Sequence, residues 1–361
     1  MLVPSLLALL VMSPALLDEE PGPHEFTAAE ARGYVAYRTP GPITMDGRLD
    51  DPGWKGIPWT EFFLDIEGDV RPRPRFKTRA KMAWDDQFFY IAADLEEPHV
   101  WGTLTEHDSV IFYDNDFEVF IDPDGDNHQY YEFEINALNT GWDLRLVKPY
   151  RDGGPALNEW EIPGLKTAVH VRGTLNDPTD EDEGWSVEIA MPWNVLGEFT
   201  DQPSPPRNGD RWRVNFSRVE WQHLVVDGRY QKVPDTREDN WVWSPQWVID
   251  MHRPERWGDV VFSTDTVGSV TFRPDRARPA RDFLHLVYEA QKVFRKEHDR
   301  WATSVEEIGF DAGPEPSLTI EATDDGYSAS VIVPAAEGEP ARRWTISHDS
   351  RIISAPVNRP S

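Results

Sequence analysis

Short segments in which apolar and polar side chains alternate recur through most of this 361-residue chain, and no other feature restricts its fold as much. Lys81-Met82-Ala83-Trp84 runs into the turn pair Asp85-Asp86 and then into Phe88 to Leu95. Phe117, Val119 and Ile121 alternate with Glu118 and Phe120, and Tyr131, Phe133 and Ile135 with Glu132, Glu134 and Asn136. Trp185, Val187, Ile189 and Met191 alternate with Ser186, Glu188 and Ala190, and Trp212, Val214 and Phe216 with Arg213, Asn215 and Ser217. A period of two sends alternate side chains to opposite faces, so each segment reads as a half-buried strand. Many such strands separated by Gly, Pro and Asp turns predict a mainly β protein, an antiparallel β-sandwich or jelly roll. Trp is abundant between Trp54 and Trp257, where it serves either as filler for a large sandwich core or as exposed ring platforms.

The pattern changes after Phe262. Residues 266–280 form a Pro/Arg-rich linker. Beyond it, Phe283, Leu286, Val287, Ala290, Val293, Phe294 and Trp301 recur at helical spacing as one apolar stripe. Ser304-Val305-Glu306-Glu307 is a capping-box pattern that predicts a second short helix, with Gly309 to stop it. Leu318 to Ala322 and Tyr327 to Val333 read as a hairpin across Asp324-Asp325-Gly326, with Trp344 to Ile346 as a third strand. Residues 281–355 are therefore expected to form a small α+β module. It is similar to the pilin-like modules appended to some exported bacterial proteins.

At the other end, residues 2–17 are an apolar run too short to span a bilayer and followed by small residues. This predicts a signal peptide over 1–17, a leader or linker over 18–40, and a secreted or periplasmic protein with no integral membrane segment once the signal is removed. The formal net charge is −28, most of it before residue 274, which repels nucleic acid and anionic membrane surfaces. The chain has no cysteine, which excludes disulfides, thiolate metal sites and a cysteine nucleophile.

Several segments resemble, in order, the motifs of family 9 carbohydrate-binding modules. Ile43 to Trp54, with Asp46-Gly47-Arg48-Leu49-Asp50-Asp51, is similar to the family's opening "DG-x-LDE-x-x-W". Ala83 to Ala92 looks like its "WD-x-x-YLY" hairpin, and Asp114 to Asp122 like its "D-x-VE-x-FID" strand. Phe133-Glu134-Ile135-Asn136 follows, then Gly184 to Trp193 ("GW-x-VE-x-x-IPW"), Asn215-Phe216-Ser217-Arg218, and the close from Trp243-Ser244-Pro245 to Trp257-Gly258. The resemblance implies a carbohydrate-binding β-sandwich over residues 41–265. It further implies a sugar slot between two aromatic rings, because flat rings cover the apolar faces of a pyranose while polar side chains meet its hydroxyl edge.

Carried over by position, the first ring falls at Phe112 or Tyr113 and the second at Trp243 or Trp247, with Asn136 as a polar partner. The family's arginine two residues earlier is Glu134 here, and Arg218 or His252 is the replacement donor. Each residue also has a plainer reading. Tyr113 is then a rim aromatic and Trp243 core. Asn136, Glu134 and Glu132 lie on a solvated strand face. Arg218 neutralises a buried carboxylate such as Glu220 or Glu118, and His252 is a satisfied loop histidine. Asp122, Asp124 and Asp126 alternate in a way that suits calcium as a structural ion, although Pro-Asp-Gly is equally a hairpin turn.

The expected ligand is an oligo- or polysaccharide, with no cofactor required. The leading reading is a non-catalytic binder associated with polysaccharide breakdown. The alternatives are a glycoside hydrolase built on the same sandwich and a haem-binding redox module with Met82 or Met251-His252 as ligands.

Overall fold

A computed structural model describes residues 31–309, 318–336 and 338–357. The expected signal peptide lies outside the described residues. In chain order the first strands are β1 (Gly33–Arg38), β2 (Leu64–Asp65), β3 (Thr78–Trp84), β4 (Phe88–Glu96), β5 (Asp116–Asp122), β6 (Tyr130–Asn136) and β7 (Gly141–Leu146). They are followed by β8 (Ala156–Leu157), β9 (Lys166–Arg172), β10 (Gly184–Pro192), the short α1 (Trp193–Leu196), β11 (Arg211–Glu220), β12 (His223–Val226), β13 (Arg229–Lys232), β14 (Asp239–Val242) and β15 (Gly258–Ser263).

The predicted sandwich is formed, and its two layers are the halves of one curled sheet. Hydrogen bonds run along the path β8-β7-β6-β5-β11-β15-β1-β3-β4-β10-β9, with β14 branching from β11 and β2 from β14. The alternating apolar residues close the sheet on itself. Phe117, Val119, Tyr131, Phe133, Val214 and Phe216 from one half share a core with Met82, Trp84, Ile91, Trp185, Val187 and Ile189 from the other. Burial of this much apolar surface is the main stabilising term for such a fold.

β1 joins the halves, and here the structure departs from the sequence reading. Residues 33–38, expected within a leader, pair in parallel with β15 on one side and β3 on the other. The cause is legible afterwards, since Tyr34 and Ala36 face the main core while Val35 and Tyr37 face an outer cluster around Trp54 and Tyr90.

The motif from Ile43 to Trp54 folds over that outer cluster and is anchored by Glu188 of β10. Oε1 of Glu188 accepts from Trp54 Nε1 at 2.6 Å, and Oε2 accepts from the Asp46 and Gly47 backbone N–H groups. Gly47 is required there. Its φ is +78°, and a Cβ would lie 2.5 Å from the His170 backbone.

The C-terminal module comprises α2 (Arg278–His298) and strands β16 (Thr319–Ala322), β17 (Tyr327–Val333), β18 (Arg342–Ser347) and β19 (Ile352–Pro356), paired in that order. The helix packs Leu284, Val287 and Tyr288 against Tyr327, Ala329, Val331 and Ile346. Arg295, Lys296 and His298 complement its C-terminal dipole. Residues 304–309 form only a 3₁₀ turn, Glu306–Ile308, where a second helix was expected. A run this short cannot offset helix nucleation.

The module docks on the sandwich through polar side chains. Asp152 accepts from the Tyr288 hydroxyl and the Ser350 hydroxyl, each at 2.6 Å, and pairs with Lys292 at 2.8 Å. Asn127 donates to the Ser350 carbonyl, and Arg351 pairs with Asp126.

Candidate functional site

Strand parity determines which side chains form the site. Because Phe117, Val119 and Ile121 enter the core, β5 turns Asp116, Glu118 and Phe120 to the opposite, outer face. By the same rule β6 presents Glu132, Glu134 and Asn136, and β11 presents Ser217 and Val219. The register sets Glu118 opposite Glu134 and Phe120 opposite Glu132. On the next strand Trp142 lies opposite Glu134 and Leu144 opposite Glu132. These residues floor a cavity of about 430 Å³ walled by Ile66, Phe112, Tyr150, Glu238, Asn240 and the 249–252 segment.

Two aromatic groups stand at this cavity. Phe112 and Trp142 have ring centroids 6.4 Å apart, and Tyr150 meets His252 edge-on at 4.5 Å. The Tyr150 segment is fixed from behind, because the adjacent Asp152 is the acceptor that holds the C-terminal module and Arg151 pairs with Glu255 at 2.9 Å. The cavity is therefore a concave, largely apolar site with a few convergent polar groups, the usual form of a small-ligand site.

Its electrostatics are strongly acidic. Burial raises Glu132 and Glu134 well above the usual carboxyl range, and the neighbouring Glu118 charge raises both further. Burial and Glu118 do the same to Asp116. Glu118 itself is pushed up by burial to about 7. Glu134 Oε2 accepts the Phe112 backbone N–H at 3.0 Å. Burial lowers His252 to about 4, so its imidazole is neutral at pH 7, with Nδ1 3.0 Å from the Tyr130 hydroxyl.

Of the residues singled out from sequence, His252 lines this cavity. Tyr113 is exposed beside Phe112, their rings 4.9 Å apart, with Lys232 5.3 Å from its centroid. Trp243 has the parity of Phe216 and is fully buried in the sandwich core, so it forms no open slot with Tyr113. Trp247 is partly buried, with its ring packed over Gly68.

Asn136 is buried with all its bonding capacity used. Its amide donates to Leu104 O and Asp114, and its oxygen accepts from the Leu138 and Thr140 N–H groups. Arg218 likewise faces inward. Its five N–H donors go to Glu97, Glu220, Thr78 and the Glu96 carbonyl, with none directed at the outer face. Met82 is in the main core, whereas Met251 packs against the outer Phe120–Trp257 cluster, so the suggested haem ligands do not converge.

Asp122, Asp124 and Asp126 form the hairpin between β5 and β6, with one carboxylate oxygen of each lying within 4.8 Å of the others. Asp122 accepts from the Gly125 and Asn127 N–H groups, and Asp126 from His128 N–H and Arg351.

Glu118, Glu132, Trp142 and Tyr150 line the cavity without having been assigned to the slot, whereas Phe112 was one of the two positions offered for its first ring. One signal for the first two was present. Glu118 on β5 and Glu132 and Glu134 on β6 stood at positions opposite the core set, and the outer face they share is a concave cavity rather than a flat solvated surface.

A family model described as "Carbohydrate family 9 binding domain-like" matches residues 45–261. The curated "Exoglucanase XynX" of Acetivibrio thermocellus is 27% identical over 163 residues, which is 44% of this chain and only 12% of that protein's length. A family 9 carbohydrate-binding module from Caldicellulosiruptor kristjanssonii, solved with cellotriose, superposes with a TM-score of 0.42 at 15% identity, covering 67% of this chain and all of the module. Its glucose complex gives the same score and identity over 66% of this chain.

Proposed function

Since the chain belongs to the carbohydrate family 9 binding domain-like family, we propose that it is an exported, non-catalytic carbohydrate-binding protein that acts beside polysaccharide-degrading enzymes. The sugar would be held in the outer-face cavity of β5, β6 and β7. The observation that carries this reading is the cavity itself, with about 430 Å³ of space, aromatic side chains at its walls and carboxyls in its floor. Phe112, Trp142 and Tyr150 offer the apolar surface that a pyranose face covers, and Glu118, Glu132 and Glu134 offer acceptors for its hydroxyl edge. Export rests on the apolar run at residues 2–17. Among the described residues no helix is long and apolar enough to cross a membrane.

A hydrolase is the second reading, and the raised carboxyls favour it, because glycosidases need an acid that keeps its proton near neutral pH. Binding is preferred because Glu118, Glu132 and Glu134 rise together from one floor, whereas a glycosidase pair flanks the scissile bond. Incubating the purified protein with a glycan panel while measuring both binding heat and reducing-sugar release separates the two. Heat without release is expected. Release that disappears in Glu118→Gln establishes the hydrolase, and the absence of both rejects the sugar.

The Asp122–Asp126 turn is read as a hairpin locked by its own backbone N–H groups and by Arg351. Calcium requires about six to eight oxygen ligands, and this turn already directs a guanidinium at one of its three carboxylates.

A further inference from the structure

Among the described residues the cavity is lined by carboxylates and by no lysine or arginine. Glu118, Glu132, Glu134, Glu238 and Asp250 all contribute to it, and the first three are only 6%, 6% and 2% exposed. Buried carboxylates ordinarily have a cation or a full set of donors. Here Glu132 Oε2 has no hydrogen-bond partner among the described residues, although the side chain lines an open cavity. The nearby cations are engaged elsewhere. Lys232 lies over the Trp221 ring with Nζ 3.6 Å from its centroid and feels the charges of Asp114, Glu238 and Asp116 rather than those of Glu118, Glu132 and Glu134, and Arg151 pairs with Glu255 at 2.9 Å. The floor therefore presents an unsatisfied acceptor, Glu132 Oε2, at the same place where Phe112, Trp142 and Tyr150 present ring surface.

We infer that the ligand of this cavity is a cationic sugar, an amino sugar with a free, protonated amine, whose ring packs on the aromatic walls and whose ammonium enters among Glu118, Glu132 and Glu134. This rests on the carbohydrate-binding reading and narrows it. An ammonium has three donors and no acceptor, which matches a floor made only of acceptors, and aromatic faces attract the same charge. Burial and mutual repulsion favour a protonated floor in the free protein; an ammonium lowers those values and is met by the charge it draws out, whereas a neutral sugar leaves the floor protonated. A bare metal ion would use Asp116, Glu118 and Glu134, one oxygen of each lying within 4.8 Å of the others, but would leave the aromatic walls and most of the volume without a role.

The test is calorimetric titration of the full chain, at a near-neutral pH where the sugar amine keeps its charge and Glu118 is at its own titration point, with four probes: the β-1,4-linked glucosamine disaccharide, its N-acetylated form, cellobiose and 1,5-diaminopentane. The expected result is that the free-amine disaccharide binds at least about tenfold tighter than either neutral sugar. That advantage shrinks between about 50 mM and about 500 mM NaCl. It disappears in Glu132→Gln, an isosteric change whose folding is checked by its melting temperature, and in Glu134→Gln as a second variant.

Equal affinity for charged and neutral disaccharides overturns the cationic preference while leaving sugar binding intact. Tight binding of diaminopentane with no sugar binding overturns the sugar reading and this inference with it. Calcium alone, if it abolishes the amine's advantage, assigns the carboxylates to a metal and overturns the inference. No binding by any probe overturns both readings.

Discussion

Replacing Arg218 with methionine keeps most of the side-chain volume and removes the charge from the most completely buried ionic cluster in the sandwich. In the native protein Arg218, Glu97 and Glu220 are 1–2% exposed at their side chains, with the guanidinium 2.7 Å from Glu97 and 2.8 Å from Glu220. Burial and the Glu97 charge hold Glu220 well above the usual carboxyl range, so the cluster carries one carboxylate charge against one guanidinium. The Arg218→Met variant leaves Glu97 in the interior without its cation and Glu220 with only the more exposed Arg75, 4.0 Å away, and breaking a buried pair from one side costs about 3–5 kcal/mol. For a domain of this size the loss is on the order of 10 °C in Tm. The sign of its pH dependence follows from linkage. A carboxyl raised in the folded state is tolerated while protonated and costs stability as pH rises through its folded value, so the deficit is larger at pH 8 than at pH 5. Thermal unfolding followed by Trp fluorescence at the two pH values measures it. A Tm within about 2 °C of wild type at both pH values, well short of the shift a buried ion pair implies, would refute the inward placement of Arg218. Lost ligand affinity without lost stability would make Arg218 a ligand donor instead.

Three further outcomes follow from the same geometry. Glu118→Gln raises Tm at pH 8 and leaves it nearly unchanged at pH 4, because the cost of ionising Glu118 appears only as pH climbs from the ordinary carboxyl value toward about 7; equal Tm shifts at both pH values would show that its charge is already balanced. Asp152→Ala removes the acceptor for Tyr288, Ser350 and Lys292, so hydrogen exchange at residues 148–153 accelerates and ligand affinity falls; unchanged exchange there would mean that the module does not brace the Tyr150 wall. Addition of calcium to EDTA-treated protein leaves Tm within about 1 °C, since an ion binding only the folded state must raise it; a rise of several degrees that is lost in Asp122→Asn would place calcium in the β5–β6 hairpin.

The sandwich was legible because its signal is local. Phe117-x-Val119-x-Ile121 and Tyr131-x-Phe133-x-Ile135 specify strands and their buried faces without tertiary information. β1 was not legible as a strand, because its four central residues Tyr34 to Tyr37 are buried on both faces and show no alternation. Motif position brought the site only to the right neighbourhood. It offered Phe112 or Tyr113 for one ring and Trp243 or Trp247 for the other, but it could not show that Trp243 shares parity with Phe216 and is therefore core. Arg218 failed as a ligand donor for the same reason: a shift of one residue along a strand exchanges faces. The acidic floor was written in sequence at Glu118, Glu132 and Glu134, and the missing fact was the curvature that makes their face a cavity. Tyr150 carried no local signal at all, since its position depends on Asp152 and on a helix more than a hundred residues away.

The most direct test of a sugar in the β5–β6–β7 cavity is titration of the full chain and of Trp142→Ala with the glycan that gives the largest heat. Trp142 is only partly buried and stands at the cavity beside Phe112, outside the main core, so the variant is expected to fold. Saturable binding by the native chain that weakens at least about tenfold in Trp142→Ala, the loss of roughly 1.4 kcal/mol of ring contact, is the predicted result. Equal affinity in the two proteins, or no binding heat from any glycan with the native chain, would contradict it.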